Sequence, residues 1–272
     1  MKFAKMQGTG NDFICVDCFR EKIVHPHSLA RRLCDRHFGI GADGLLLLLP
    51  SAAADCRMEL YNRDGSAAGM CGNGLRCAGA YLNAHLLPQR QEMIIETRAG
   101  LKRLWKKEGG YRVDMEAPRL EAHALPVLSE RGLVIEEAFS VEGKTVTLTC
   151  VSMGNPHAVC FVEKTEEAEL ELLGRALEHH HRFPEGVNTE FVEIVDEEHL
   201  KVRVWERGCG ETMACGTGAC AAVVAGALTG RCGRSASVRL PGGTLTVEWE
   251  QGGPVFLEGP AEEVFSGEIP AV

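Results

Sequence analysis

Two short cysteine turns carry the strongest chemical signal in the sequence. Residues 71–74 read Cys-Gly-Asn-Gly and residues 215–218 read Cys-Gly-Thr-Gly, and a stretch of small residues that predicts a helix follows each. A thiol at a helix start lies close to backbone N–H groups and to the positive end of the helix dipole, which favour a thiolate, while the same N–H groups can hold a carboxylate. A buried structural cysteine is the alternative for either turn alone. Two matched thiols, one ionised, are suited to inversion at a stereocentre, where one removes a proton and the other returns one to the opposite face.

The two turns belong to an internal repeat. They are separated by 215 − 71 = 144 residues, and other short motifs recur at the same offset. Several matches in one order favour a duplicated architecture over chance. The further matches are Tyr61-Asn62-Arg63 with Trp205-Glu206-Arg207, Gly10-Asn11-Asp12-Phe13 with Gly154-Asn155-Pro156-His157, Gly44 with Asn188, and, at an offset of 142, Glu116-Ala117-Pro118 with Glu258-Gly259-Pro260.

The repeat predicts two homologous halves, residues 1–118 and 119–260, with a tail at 261–272 that returns to the first half as a strand. A length of 272 residues agrees with two domains of about 150 residues each. We therefore predict an α/β (α+β) fold of two pseudo-symmetric domains. Each is a curved, mostly antiparallel sheet wrapped around a central helix, because the predicted central helices carry small apolar residues on most sides.

The predicted elements follow from hydrophobic periodicity and from helix stop signals. Central helices are expected at Leu75–Leu87 and Ala219–Leu228, and a third helix is expected at Leu29–His37, outside the first sheet. The expected strands are Met58–Tyr61, Glu92–Thr97, Tyr111–Met115, Val146–Cys150, Val202–Trp205, Leu245–Trp249 and Glu263–Phe265.

Composition narrows the function classes. The net charge is 29 − 38 = −9, and basic residues form no cluster larger than a short pair such as Arg31-Arg32, which disfavours nucleic acid and anionic membranes as partners. The longest apolar run, Leu45–Leu49, is far shorter than the ~20 residues of a membrane span, and the N-terminus lacks a signal peptide, so we expect a cytoplasmic protein. In a reducing compartment the 12 cysteines are packing residues, metal ligands or reactive groups rather than disulfides.

Three competing site types are less favoured. Cys15 and Cys18 form the Cys-X-X-Cys spacing of a metal or redox site, but no second such pair exists, and we interpret them as packing residues. The run His179 to His181 is interpreted as an exposed helix end or loop rather than a metal site. None of the nine lysines has a recognisable pyridoxal-phosphate setting. We therefore expect neither a metal nor a cofactor.

Taken together, the motifs closely resemble those of the diaminopimelate epimerase family, over essentially the whole chain. The resemblance implies a cofactor-independent epimerase that interconverts LL- and meso-2,6-diaminopimelate, in lysine and peptidoglycan precursor biosynthesis, on a fold of two pseudo-symmetric domains with the site between them. It implies a small-molecule partner, and a homodimer is a candidate assembly. The motifs are 6–13 (Met-Gln-Gly-Thr-Gly-Asn-Asp-Phe), 62–66 (Asn-Arg-Asp-Gly-Ser), 71–74, 154–157 (Gly-Asn-Pro-His), 206–208 (Glu-Arg-Gly) and 214–218 (Ala-Cys-Gly-Thr-Gly).

The resemblance also implies residue roles. Cys71 and Cys215 correspond to the two acid/base thiols, and His157 and Glu206 correspond to groups that assist proton transfer. A side-chain contact is expected to be absent at Gly44, where some relatives carry Gln. The positions that correspond to substrate-binding residues are Asn11, Asn62, Gly72, Asn73, Asn155, Asn188, Glu206, Arg207, Gly216 and Thr217.

Other functions remain open at this stage. Proline racemases share the fold but typically carry His where Asn73 stands, and histidine racemases share more of the motifs. Arg207, which can offer a two-pronged contact to a distal carboxylate, favours diaminopimelate over both. A non-catalytic binding protein would need the N–H groups but not both cysteines.

Overall fold

The chain forms two compact units. The computed structural model describes residues 1–270. The first unit comprises Met1–Asp114 and the segment that begins at Glu258, and the second comprises Met115–Leu257. The origin of the two units in one duplicated half stays a prediction, and the last two residues of the predicted tail, 271 and 272, lie outside the described residues.

Strands predominate in both units, and each unit has one long helix. In chain order the elements are β1 (Lys2–Gly8), β2 (Asn11–Asp17), α1 (Pro26–Leu33), β3 (Gly44–Leu49), β4 (Cys56–Asn62), β5 (Ala67–Ala68), α2 (Gly72–His85), β6 (Glu92–Thr97), β7 (Gly100–Lys107), β8 (Gly110–Asp114), β9 (Glu137–Val141), β10 (Lys144–Ser152), β11 (Pro156–Phe161), α3 (Leu170–Glu178), β12 (Asn188–Asp196), β13 (His199–Glu206), β14 (Gly210–Thr212), α4 (Gly216–Leu228), β15 (Ser235–Leu240), β16 (Gly243–Trp249), β17 (Val255–Gly259) and β18 (Glu262–Glu268), with short 3₁₀ helices at Ala122–Ala124 and Thr165–Glu167.

The same succession of strand pairings occurs in both units. In the first, β1 and β2 are antiparallel, β2 and β3 parallel, β3 and β4 antiparallel, β4 and β6 parallel, and β6 and β7 antiparallel, while β18 pairs with the free side of β1. In the second, β10 to β13 followed by β15 and β16 repeat this order. The registers also repeat, because Phe13 lies opposite Gly44 and His157 opposite Asn188. The predicted fold class is confirmed.

Each long helix is buried by its own sheet. In α2 the residues from Gly72 to Gly79 are all buried, and in α4 the residues from Ala219 to Gly226 are all buried. The α2 backbone can pack this closely against the sheet only where its side chains are small. A Cβ at Gly79, for example, would come within 2.5 Å of Leu104 Cδ1 on β7. Among residues 1–270, no helix is both long and apolar enough to cross a membrane.

Three helix predictions need correction. The central helices begin at Gly72 and Gly216, three residues before the predicted starts, because the Gly-X-Gly segments form the first helical turn rather than a loop. The third helix is Pro26–Leu33 and not Leu29–His37. Pro26 fits the first helical position, where no N–H is needed. The Asp35 carboxylate accepts hydrogen bonds from the backbone N–H groups of His37 and Phe38 and forms a turn beyond the helix end.

Candidate active site

The Cys71 turn caps α2. Cys71 is the N-cap residue, and its sulfur accepts a hydrogen bond from Gly74 N at 3.4 Å. The thiol is half-buried and lies 3.8 Å from Asn11 Oδ1, which also accepts a hydrogen bond from Asn73 Nδ2 at 3.3 Å. Gly72 and Asn73 occupy the first two helical positions, where backbone N–H groups have no acceptor within the helix. These two N–H groups can therefore be offered to an anion.

An ion-pair network fixes the orientation of Asn11. Its Nδ2 donates to Asp43 Oδ2 at 2.8 Å, which directs Oδ1 toward the Cys71 turn. Arg36 contacts Asp43 and Asp12 at 2.9 Å each, and Lys5 lies 2.7 Å from Asp12. Burial acts to raise the pKa of Asp12, but hydrogen bonds from Arg36 and Lys5 outweigh it and hold that pKa below its usual value. The network keeps the Asp12 carboxylate ionised and the amide of Asn11 in one orientation.

The Cys215 turn caps α4 in the same way. The Cys215 sulfur accepts a hydrogen bond from Gly218 N at 3.4 Å and lies 3.4 Å from Thr217 Oγ1. Cys215 is a buried free thiol, with 5% of its surface exposed. Gly216 and Thr217 occupy the first two helical positions, as Gly72 and Asn73 do in the first unit. Both cysteines predicted to be reactive therefore lie at helix starts.

Burial and negative charge determine the protonation state of Cys215. Burial raises the pKa of this thiol well above its usual value, and the charges of Glu206 and Glu190 raise it further. The hydrogen bonds from Thr217 and Gly218 lower the pKa by less. The helix start favours the thiolate of Cys215, as expected, through the Gly218 N–H, but burial and the two carboxyl groups outweigh this effect.

Glu206 lies beside Cys215 at the end of β13. Burial raises the pKa of its carboxyl group, although hydrogen bonds from Thr212 and Cys215 act in the opposite direction. Thr212 Oγ1 donates to Glu206 Oε1 at 2.5 Å. A carboxyl group of raised pKa next to a thiol is suited to exchange a proton with it.

His157 and Asn155 lie next to the Cys215 turn. His157 is fully buried on β11, with Nδ1 2.6 Å from Glu190 Oε1 and Nε2 3.0 Å from Asn155 Oδ1. Asn155 Nδ2 donates to Thr217 Oγ1 at 3.3 Å. The second unit thus brings together the predicted residues Asn155, His157, Glu206 and Thr217 around Cys215.

Three further predicted residues lie at strand ends. Asn188 is buried at the start of β12, and its Oδ1 accepts a hydrogen bond from Arg207 N at 2.8 Å. The Arg207 side chain is anchored by a hydrogen bond from Nη1 to the Glu185 carbonyl oxygen at 2.6 Å. Asn62 ends β4, is exposed, and donates from Nδ2 to Ser66 Oγ at 2.9 Å. Asn188 and Arg207 are therefore coupled, whereas Asn62 takes part in the turn that follows its own strand.

Comparison with known proteins identifies the family. The sequence profile described as diaminopimelate epimerase matches residues 3–121 and 149–264. The chain belongs to this family. It is 49% identical over 275 residues to the diaminopimelate epimerase of Methanococcus maripaludis and 50% identical over 278 residues to that of Pelotomaculum thermopropionicum, with 99% of each chain covered in both alignments. This membership makes the protein an amino-acid epimerase, an isomerase of lysine biosynthesis.

Solved structures agree with the diaminopimelate epimerase fold. A hydroxyproline epimerase from Agrobacterium vitis superposes with a TM-score of 0.71 at 16% identity, covering 99% of this chain and 90% of that one. A phenazine biosynthesis protein of the PhzF family from Bacillus anthracis superposes with a TM-score of 0.72 at 16% identity, covering 100% and 99%. At this identity the likeness concerns the fold alone.

Two acidic residues near the site of this epimerase were missed by the sequence analysis. Asp43 orients Asn11 and follows a loop that contains no motif. Glu190 is a buried carboxyl group within β12 and resembles an ordinary strand residue in sequence. One signal was available for Glu190, since its repeat counterpart at 190 − 144 = 46 is the apolar Leu46.

The raised pKa of Cys215 predicts its alkylation behaviour in this epimerase. Without substrate, iodoacetamide should modify Cys215 slowly at pH 7, and the rate should rise steadily with pH, because only the thiolate reacts. Glu206→Gln removes a negative charge that raises this pKa, so the rate at pH 8 should increase by roughly three- to tenfold. Peptide mapping by mass spectrometry after timed alkylation measures both effects.

Glu211→Gln is the matched control for this experiment. Glu211 lies on β14 and forms an ion pair with Arg203 at 2.8 Å, so its substitution should leave the alkylation rate of Cys215 unchanged. Alkylation of Cys215 as fast at pH 7 as at pH 9 would mean that the thiolate is already formed, and would contradict the predicted protonation state.

Proposed function

We propose that Cys71 and Cys215 are the two acid/base groups that epimerise diaminopimelate between its LL and meso forms. The observation that carries this proposal is the matched pair of cysteine-capped helices, each with its thiol accepting a hydrogen bond from the glycine N–H three residues ahead. Epimerisation needs a proton acceptor on one face of the carbon and a proton donor on the other, and a thiolate and a thiol provide this pair. Each must reach the α-carbon from its own side.

The proposed reaction is a balanced exchange of protons. A thiolate takes the α-proton, the electrons of the C–H bond stay on the carbon, and the second thiol donates its proton to the opposite face. One thiol and one thiolate are present before and after the reaction, with their positions exchanged. The reverse reaction uses the same two groups in the opposite roles.

The helix starts would stabilise the carbanion-like state. The backbone N–H groups of Gly72, Asn73, Gly216 and Thr217 would hold the α-carboxylate, onto which negative charge spreads as the proton leaves. Preorganised donors of this kind are most effective where water is excluded, and Gly72, Asn73 and Gly216 are buried. The amides of Asn11 and Asn155, together with Glu206, would contact the amino group and orient the α-carbon.

Arg207 would select the substrate. A guanidinium can contact a distal carboxylate with two parallel hydrogen bonds, which an amino acid without that group cannot use. Asn188 would hold the backbone of Arg207, and Asn62 would add a polar contact to the distal part of the substrate. His157 and Glu206 would assist proton exchange at the thiols.

The chemistry also bears on cofactors and location. Two thiols supply both proton-transfer groups, so the proposed reaction needs no cofactor. Both must remain reduced, which favours the cytoplasm, where diaminopimelate is needed for lysine and peptidoglycan precursors.

Isotope incorporation tests the proposal. In deuterated water, with LL-diaminopimelate as substrate, the inverted α-carbon of the meso product should carry deuterium from the first turnover, because the donated proton comes from a thiol that has exchanged with solvent. Mass spectrometry and ¹H NMR of the early product measure this. Full retention of protium at the inverted carbon would exclude the two-base reaction.

A further inference from the structure

A buried acid and histidine pair lies behind the Cys215 turn. The side chains of His157 and Glu190 have no solvent exposure, and Nδ1 and Oε1 are 2.6 Å apart. Glu190 Oε2 is also buried and has no hydrogen-bond partner among the described residues. Burying a carboxyl group with one oxygen unpartnered lowers the stability of the fold. We therefore infer that the pair serves a purpose other than stability.

The first unit shows that the fold does not need this pair. The repeat offset of 144 relates His157 to Phe13 and Glu190 to Leu46, and the strand registers agree: Cys15 lies opposite Leu46, and Val159 opposite Glu190. Phe13 and Leu46 are buried apolar residues. Apolar residues of similar volume often replace a buried ion pair without loss of stability. The same sheet position is therefore apolar in one unit and polar in the other.

A continuous chain of polar contacts leads from Glu190 to the Cys215 sulfur. Its steps join Glu190 to His157 at 2.6 Å, His157 to Asn155 at 3.0 Å, Asn155 to Thr217 at 3.3 Å and Thr217 to Cys215 at 3.4 Å. Because Asn155 turns its oxygen toward His157, the facing Nε2 carries a hydrogen. Asn155 then donates to Thr217, whose hydroxyl hydrogen is left to point at the sulfur.

Glu190 also lies against the start of α4. A Cβ at Gly218 would come within 2.7 Å of Glu190 Oε1, whereas at the equivalent Gly74 the nearest atom of Leu46 would be 3.8 Å away. Gly218 is the residue whose N–H bonds to the Cys215 sulfur. The Glu190 carboxyl group is thus linked to Cys215 by the chain of polar contacts, and it also lies next to Gly218 in the thiol turn itself.

We propose that Glu190 is a positioning residue that acts through His157 to orient Asn155 and Thr217 toward Cys215. The proposal rests on the assignment of Cys215 as an acid/base thiol. With Glu190 bound to Nδ1, the imidazole keeps Nε2 directed at Asn155, and the chain ends with a hydroxyl donor on the sulfur. Such a donor favours the thiolate form that Cys215 must adopt in one direction of the reaction. The first unit contains no counterpart of this pair at Phe13 and Leu46, so the two thiols have different supports.

Glu190→Gln tests the proposal. The amide has nearly the same shape but no charge, so it holds the imidazole less firmly. We expect kcat to fall at least about tenfold with KM within twofold of wild type, because misplaced proton-transfer groups slow the chemical step. The ¹⁵N NMR signals of the His157 ring should shift, because Nδ1 then faces a neutral amide instead of the carboxyl group.

Glu193→Gln is the matched control on the same strand. Glu193 bonds to Lys201 and to the backbone of Thr165, so its substitution should leave kcat and the His157 signals unchanged. A wild-type kcat in Glu190→Gln, or a rise in KM at constant kcat, would overturn the proposal. The NMR signals are read without turnover, so they test Glu190 even if isotope incorporation rejects the two-base reaction.

A second variant keeps the proposal testable if Glu190→Gln does not fold. His157→Phe combined with Glu190→Leu recreates the apolar pair of the first unit and should fold, as judged by circular dichroism and thermal unfolding. It should lose at least as much kcat as Glu190→Gln, with KM within twofold of wild type. A folded double variant with wild-type kcat would overturn the proposal.

Discussion

Cys71→Ala and Cys215→Ala should each reduce epimerisation by about 10³-fold or more, because inversion needs a proton acceptor on one face of the carbon and a donor on the other. Removal of one thiol leaves no partner for the second half of the reaction. Chiral chromatography of LL- and meso-diaminopimelate gives the rate. Each variant should still exchange the α-proton of only one stereoisomer with deuterated water, since one thiol still reaches one face. The two variants should exchange opposite stereoisomers.

Cys18→Ala is the control for this pair. Cys18 is half-buried at the end of β2, and burial raises the pKa of its thiol to about 12, so it is an inert thiol and its substitution should leave the rate near wild type. Substantial epimerisation by either Cys71→Ala or Cys215→Ala would reject the assignment of the two thiols.

The internal repeat explains why the sequence alone located both thiols. A single Cys-Gly-X-Gly turn is ambiguous, but the same turn 144 residues later predicts equivalent places in two units, and both cysteines are N-caps of the buried helices α2 and α4. The sequence repeat corresponds to a structural repeat, because the strand pairs in the two units have the same register as well as the same spacing along the chain. The helix starts were predicted three residues late because glycine disfavours helix interiors, whereas in this fold the cysteine sulfur satisfies the N–H of the third helical residue.

Electrostatics at the thiols was harder to predict than their positions. A helix start argues for a thiolate from local structure alone, but the protonation of Cys215 depends on Glu206 and Glu190, which are distant in sequence and are brought close by strand pairing. The burial of Cys215, which raises its pKa most, also arises only when the chain is folded and is not visible in the local sequence. Asp43 was missed for the same reason, because its partner Asn11 is 32 residues away on a parallel strand.

The two units support their thiols by different means. In the first, a partly buried ion-pair network orients Asn11 toward Cys71, and the residue nearest the turn at the equivalent sheet position is the apolar Leu46. In the second, Asn155 is oriented from a buried histidine, and a carboxyl group lies beneath the turn. In the proposed reaction such asymmetry has a use, because one thiol acts on the α-carbon in its L configuration and the other on the same carbon in its D configuration. The two units thus place their cysteines at equivalent positions, while the side chains around the two thiols differ.

Arg207→Lys should lower kcat/KM for diaminopimelate by about 10²-fold, mostly through a higher KM. The Arg207 backbone is held by Asn188, and one guanidinium nitrogen is anchored on Glu185, so the side chain is preorganised for a carboxylate. Lysine keeps the charge but cannot offer two parallel hydrogen bonds, and losing charge-assisted bonds of about 1.5–3 kcal/mol corresponds to this range of affinity. Steady-state kinetics in both reaction directions measures the change.

Arg203→Lys separates this effect from a general loss of an arginine. Arg203 lies on the same strand and is paired with Glu211, so its substitution should leave KM near wild type. A substrate analogue in which the distal carboxylate is replaced by hydrogen should bind wild type about 10²-fold more weakly than diaminopimelate, and Arg207→Lys should largely lose this discrimination. If Arg207→Lys kept a wild-type KM and full discrimination, the distal carboxylate would have to be bound by another residue, and the argument from Arg207 for diaminopimelate over other amino acids would fail.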